Sequence, residues 1–309
     1  MYRTSIGGQA VMEGVMMRGP REIATAVRKS NGEIVVDKKP VSSLLVKYGL
    51  HKIPILRGFL SFFESLFIGV KALMFSADQY DLEDGEVYEP SKFEAWLDRK
   101  FGDKIKDIAI YFSVAIALVM GVGLFMLLPT VLVGFVKSFV ENRIVLNLVE
   151  GLVRITIFLV YIALVSKMED IQRVFQYHGA EHKTIACYEH AEELTPENAR
   201  KYTRLHPRCG TSFLLIVMVI SIVFFSLLRW ESVWERILYR LLLLPIVAGV
   251  SYEIIKFAGR SENKVVAWLT KPGLWLQNLT TREPDDSQLE VAIVAMKSVL
   301  PTVDGEDRW

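Results

Sequence analysis

Ile108–Val136 contains no charged residue. As a helix rising about 1.5 Å per residue, a run of that length crosses a hydrocarbon core of about 30 Å with room to tilt. Pro129 predicts a kink within it. Three further apolar stretches run from about Val145 to Ser166, from Thr211 to Leu228 and from about Ile237 to Phe257. The fold class expected is therefore a mainly α membrane protein with about four transmembrane helices. Composition agrees: hydrophobic residues make up 51% and charged residues 23%, as when apolar spans alternate with polar blocks. The net charge of +1 gives no case for a nucleic-acid partner. Ala10–Met17 is short for a signal sequence and is broken by Glu13, so insertion is expected to rely on the internal spans.

Charges inside the spans are informative. Glu150 and Arg154 stand at i, i+4 and can pair on one helix face, which lowers the cost of burying either. The fourth stretch holds Arg240, Glu253 and Lys256. In Ile53–Phe75, Arg57, Glu64 and Lys71 recur every seven residues and form one stripe opposite a wide apolar face. That pattern predicts an amphipathic helix lying on the membrane or against the bundle, with a fifth span as the rival. Lys92–Lys106 repeats the theme more weakly, and the acidic run Asp78–Glu89 reads as a linker. Lys and Arg concentrate in Lys167–Gly210 and in both terminal segments. The positive-inside rule then puts the N-terminus, the central segment and the C-terminus on the cytoplasmic side of a bacterial inner membrane.

The polar parts divide into a β-rich segment at 1–50, amphipathic helices and the acidic linker at 51–107, spans at 108–166 and 211–258, a His/Cys-containing loop at 167–210 and a tail at 259–309. Glu22–Arg28 and Glu33–Asp37 flank Asn31-Gly32, a hairpin signal because both turn residues tolerate positive φ. Before them, Gly7–Pro20 holds four glycines and implies tight turns. It forms a strand pair, or it presents Glu13 and Arg18 to a site. In the tail, Asp285 or Asp286 caps a short apolar helix with a structural or docking role.

The chemistry concentrates in His178-Gly-Ala-Glu181-His182. On a helix, residues four apart face the same way, as two imidazoles sharing a metal must. The spacing H-x-x-E-H is that of inverzincin metalloenzymes, in which the Glu acts as general base; Glu181 is the candidate here. A zinc ion is the expected cofactor. Two ligand sets remain open. In one, Glu253 joins the two histidines and leaves an open position, with Glu189 and Glu150 as weaker third ligands. In the other, His206 and Cys209 complete a closed, structural four-ligand site. Unbroken helix from the second span would carry His178 about 18 Å beyond Ser166, so Glu253 can join only if the segment folds back. Cys187, five residues after His182, is a conceivable nucleophile, though a buried free thiol is the commoner outcome. No Walker-type phosphate loop is present.

Gly7-Gly8-Gln9-Ala10-Val11-Met12-Glu13-Gly14-Val15-Met16-Met17-Arg18-Gly19, Tyr177–Lys183, His206-Pro207-Arg208-Cys209-Gly210-Thr211-Ser212, Ser251-Tyr252-Glu253 and Thr281-Arg282-Glu283-Pro284 together resemble the YqhQ family of bacterial membrane proteins. The resemblance covers nearly the whole chain. It implies membrane residence and a metal-dependent enzyme, and supplies no substrate. The function expected is a hydrolase-like, metal-dependent membrane enzyme with a cytoplasm-facing His/Glu site. The alternative is a non-catalytic membrane assembly or scaffolding protein that uses the same residues as a structural zinc site or a polar network. The partners expected are the lipid bilayer and a membrane-embedded substrate or membrane protein, with a homo-oligomer as a further option.

Overall fold

A computed structural model describes residues 3–43, 45, 48–79, 104–135, 140, 142–227, 233–261, 263–303 and 305–308. The chain divides into two compact units, one of Met1–Tyr80 with Tyr161–Trp309 and the other of Asp81–Val160. Most of the acidic linker and of the Lys92–Lys106 helix lies outside the described residues.

The first unit begins with an antiparallel meander of four strands in sequence order: β1 (Gly7–Val11), β2 (Gly14–Arg18), β3 (Glu22–Arg28) and β4 (Ile34–Pro40). The Asn31-Gly32 hairpin is present, with Gly32 at φ 85°. The glycine-rich segment resolves into the β1–β2 hairpin, whose turn holds Glu13 at φ 51°. Successive residues of a strand face opposite sides of the sheet, and β2 is buried on both. Val15, Met17, Ala24 and Ala26 point into the main hydrophobic core, while Val11, Met16 and Val27 form a second core on the opposite face. The main core is closed by α5 (Glu169–Glu189) and α10 (Asp286–Lys297). The second is closed by α1 (Leu56–Gln79) through Ala72 and Ile68.

Three of the segments separated at the sequence level thus share one core. Within the 167–210 segment, Glu169–Glu189 is a long helix and the rest is irregular apart from Pro196–Ala199, and α10 contributes centrally to the core, in keeping with the structural role expected of it. Asp285 caps α10, accepting from the Gln288 backbone N–H at 2.9 Å in a full capping box, as its acidic start suggested.

The remaining helices of this unit are α6 (Pro196–Ala199), α7 (Gly210–Ser226), α8 (Val233–Arg260) and α9 (Lys264–Thr280). Helix α7 packs on α8 and α9, and α8 packs on α1. The sequence reading left α9 unassigned. Pro272 interrupts its pattern, although the Asn263 side chain caps it by accepting from the Val265 N–H at 2.8 Å.

In the second unit, α2 (Lys104–Val122) continues through a π-helical turn (Gly123–Leu127) into α3 (Leu128–Gly134), and α4 (Arg143–Val165) begins there. Pro129 explains the turn: it has no N–H to give the carbonyl four residues earlier, that of Phe125. Arg154 donates its Nε–H to that carbonyl at 2.9 Å and pairs with Glu150 at 3.3 Å. Glu150 also accepts from Thr130 Oγ1 at 2.9 Å. The i, i+4 pair anticipated within the span is therefore formed and is occupied with repairing a proline break.

Among the described residues, four helices are long and apolar enough to cross a membrane: Leu56–Gln79, Phe112–Gly134, Ile144–Val165 and Ile237–Arg260. Phe112–Gly134, Ile144–Val165 and Ile237–Arg260 coincide with spans expected from the sequence, and Leu56–Gln79 with the segment read as an amphipathic helix or a rival span. Helix α7 is apolar and has 17 residues, about 25 Å of helix and short of the hydrocarbon thickness. Helix α1 meets the same test of length and composition despite its charged stripe, and two of the stripe's charges are spent against the protein. Arg57 donates to Glu253 of α8 (Nε to Oε1, 2.7 Å), and Glu64 accepts from Arg18 of β2 at 3.3 Å. Phe62, Phe63, Leu66 and Phe67 are left exposed on the other side.

Candidate metal centre

Helix α5 carries His178 and His182 one turn apart, their ring centroids separated by 4.5 Å. Each ring is oriented through Nδ1. His178 Nδ1–H donates to the Thr280 carbonyl at the end of α9 (2.8 Å), and His182 Nδ1–H donates to the Arg204 carbonyl (2.6 Å). A carbonyl only accepts, so both contacts fix the tautomer with the proton on Nδ1 and leave the Nε2 lone pair available. Histidines that bind metals are commonly held in this way by their other nitrogen. Cys209, the N-cap residue of α7, brings its Sγ to 3.3 Å from His178 Nε2. The ligand atoms of His178, His182 and Cys209 all lie within 4.8 Å of one another. Donor atoms around tetrahedral zinc stand about 3.5 Å apart, so these side chains can close on an ion by small rotations.

The cluster faces a cavity of about 120 Å³ whose wall includes Glu181, His206 and the backbone of Gly7 and Gly8. Glu181 is buried and accepts from the Gly8 N–H at 2.9 Å. Burial raises its pKa; the neighbouring His178 ring and the Gly8 hydrogen bond act against that rise. A buried carboxyl with its pKa raised beside such a cluster is a candidate for proton transfer. Gly8 has no substitute here, because a Cβ would lie 2.5 Å from the Met16 carbonyl oxygen and 3.1 Å from Glu181 Cδ.

Gly179 is a point of close approach. A Cβ at this position would stand 2.1 Å from the Arg282 carbonyl oxygen. The segment after α9 lies directly against α5 there: Arg282 N–H donates to the Phe175 carbonyl (2.8 Å), Arg282 NH2 to the Ser166 carbonyl (3.0 Å), and Arg204 to Thr281 Oγ1 (2.8 Å). Helix propensity alone would favour Gly179→Ala by about 1 kcal/mol. The overlap is with backbone that cannot rotate away and costs about 1–3 kcal/mol or more, so steric overlap wins. Gly179→Ala is expected to lower the melting temperature and, by moving Thr280, to release His178; circular dichroism and zinc content on one preparation check both effects.

His206 lies beside the cluster, its ring centroid 5.4 Å from that of His182, but its lone pair is engaged elsewhere. Arg208 NH2 donates to His206 Nε2 at 3.2 Å and also to Glu189. Burial pushes the His206 pKa down to about 4, so the ring is neutral. Glu189 further accepts from the Thr4 N–H (2.8 Å), and the His206 backbone is clamped by Gln277, whose amide accepts from its N–H and donates to its carbonyl (2.8 Å each). This network stands behind the metal-ligand candidates rather than among them.

The structure thus unites members of both proposed ligand sets, His178, His182 and Cys209, with Glu181 alongside. Glu253 is not in the cluster: it is committed to Arg57. Glu150 is in the other unit, paired with Arg154. Glu13 accepts from Arg173 and from the Tyr177 hydroxyl (3.3 Å), pinning the β1–β2 turn to α5, and Arg18 ties β2 to α1. Both therefore hold the sheet in place. Cys187 is a buried free thiol whose pKa burial raises. The groups that sequence reasoning missed are the carbonyls of Thr280 and Arg204, the Gly8 N–H and the Gln277 amide. Backbone groups carry no residue-type signal; only Gly8 and the Thr281-Arg282-Glu283-Pro284 motif marked the neighbourhood.

The fold and the pocket define a multi-helix membrane protein with a buried His/Cys cluster. Residues 53–302 match the family described as "Protein of unknown function (DUF1385)", and the chain belongs to that family. It is 36% identical over 299 residues to "Uncharacterized protein YqhQ" of Bacillus subtilis (strain 168), across 95% of this chain and 92% of that protein. The resemblance drawn from the motifs is thereby borne out. No solved structure matches.

Proposed function

We propose that this protein is a metal-dependent hydrolase of the bacterial cell membrane, acting at the cytoplasmic face on a membrane-embedded or membrane-proximal substrate. The observation that carries the reading is the convergence of two tautomer-fixed imidazoles and a thiol beside a buried carboxyl. Two nitrogens and one sulfur suit zinc, and three protein ligands leave a fourth position open, as in catalytic rather than structural sites. The ion would supply Lewis acidity and a water acidified toward neutral pH. Thr280 and Arg204 hold the rings in register, Cys209 closes the third side, and Glu181, kept protonatable by burial, accepts and returns a proton at its carboxylate. The positive-inside distribution supports the cytoplasmic orientation. The exposed Trp268 and Trp275 of α9 suit a membrane–water boundary, without distinguishing its two sides.

Cobalt substitution tests the reading. The wild type is expected to show a thiolate-to-cobalt charge-transfer band that shifts when acetohydroxamate enters the fourth position. Glu181→Gln is expected to keep that band, and Cys209→Ala to abolish it. A band indifferent to acetohydroxamate indicates a closed site and contradicts an enzyme. One observation favours the rival scaffold reading: the 3.3 Å contact between Cys209 and His178 can be satisfied as a thiol–imidazole hydrogen bond without an ion. In that case no cobalt is retained.

A further inference from the structure

A second cavity, larger than the His/Cys pocket, is remote from it in character. It has a volume of about 730 Å³ and lies between α1 and the β3–β4 edge of the sheet, extending to the segment that follows β4. Its size falls in the range of sites that hold a drug-sized or single-chain ligand. Leu60, Phe63, Phe67 and Ile68 of α1 line it, facing Ile23 and Leu45. The same α1 face continues outward into exposed Phe62 and Leu66, on a helix long and apolar enough to sit in a membrane. An apolar trough that opens along a lipid-facing helix is filled from the bilayer.

The polar groups at its rim set the sign of the occupant. Asp37 is neutralised by Lys39 at 2.5 Å, and Glu64 by Arg18 at 3.3 Å. Lys71 is different. Of the three charges in the α1 stripe, only its ammonium has no carboxylate within ion-pair distance among the described residues, and it rests over the Phe67 ring at 4.4 Å from the centroid. The rim therefore offers one net cation above an apolar trough.

We propose that this cavity binds one acyl chain of an anionic phospholipid, with the chain between α1 and β3 and the phosphate on Lys71. The site is independent of the metal centre and stands whether or not the protein is an enzyme.

Native mass spectrometry of the full-length, detergent-solubilised protein, titrated with phosphatidylglycerol or phosphatidylcholine of identical chains, tests it. Phosphatidylglycerol is expected to be retained about fivefold more tightly, the contribution of a single interfacial lysine. Lys71→Ala is expected to abolish that preference while leaving chain-dependent binding. Leu60→Trp, which fills the trough, is expected to reduce retention of both lipids with the circular dichroism spectrum unchanged. Free glycerol phosphate is expected not to compete, because it lacks the chain. Equal retention of the two lipids by the wild type, or retention indifferent to both substitutions, overturns the proposal. Competition by glycerol phosphate alone would also overturn it, by reducing the site to a phosphate contact.

Discussion

Alanine at His182 or Cys209 is expected to strip zinc from the purified protein, with a loss of affinity exceeding the roughly 10–100-fold typical when only a residue behind a ligand is changed. Each substitution removes one of three donors, and two donors do not hold the ion against dialysis with a mild chelator. Alanine at His206 or Glu253 is expected to leave zinc at the wild-type level. The contrast is sharp because the sequence placed both among the ligands, whereas the structure gives His206 Nε2 to Arg208 and Glu253 to Arg57. Elemental analysis of the four variants, with circular dichroism to confirm folding, reads out the difference.

Glu189→Ala is expected to be the most destabilising single substitution of a polar residue around the site. Glu189 is buried and accepts from Arg208 and from the Thr4 N–H. Removing its carboxylate deprives a guanidinium whose side chain is only 7% exposed of its counter-charge. Breaking a buried pair from one side costs about 3–5 kcal/mol. The effect also has a signed pH dependence. Burial by itself would raise the Glu189 pKa, but His206, Arg208 and the Thr4 N–H together outweigh burial and hold it below the ordinary value of 4.5. A depressed carboxyl pKa contributes stability above that ordinary value and loses it as pH falls through the folded-state value. The gap between wild type and Glu189→Ala in denaturant melts is therefore expected to be full at pH 7 and to narrow below about pH 4.5.

Much of this was legible in the chain because the signals were local. Charge-free runs, the Asn31-Gly32 turn, the i, i+4 pair Glu150–Arg154 and the capping aspartate depend on neighbours in sequence, and each appears where its chemistry placed it. The errors arose where a residue's role depends on a distant backbone. Gly179, inside the H-x-x-E-H spacing, is a contact point for the distant Arg282 backbone. The charged stripe of α1 marked a helix on the membrane or against the bundle without saying which face turns inward; Arg57 and Glu64 turn inward to Glu253 and Arg18, which leaves the apolar face outward. The metal-ligand candidates were all named, but divided between two rival sets. What joins Cys209 to the histidines is the approach of the α7 N-terminus to α5, a tertiary fact that spacing does not encode. Glu253 was favoured because a carboxylate is the usual third ligand of the H-x-x-E-H pattern; its partner Arg57 sits 196 residues away.

The central claim is three protein donors with one position open, and zinc X-ray absorption on the purified full-length protein tests it most directly. The expected spectrum has one sulfur at about 2.3 Å and two imidazole nitrogens at about 2.0 Å, with a fourth light-atom neighbour that exchanges on addition of acetohydroxamate. A shell of three imidazoles and one sulfur that ignores acetohydroxamate, or protein that binds no zinc at all, would contradict the account.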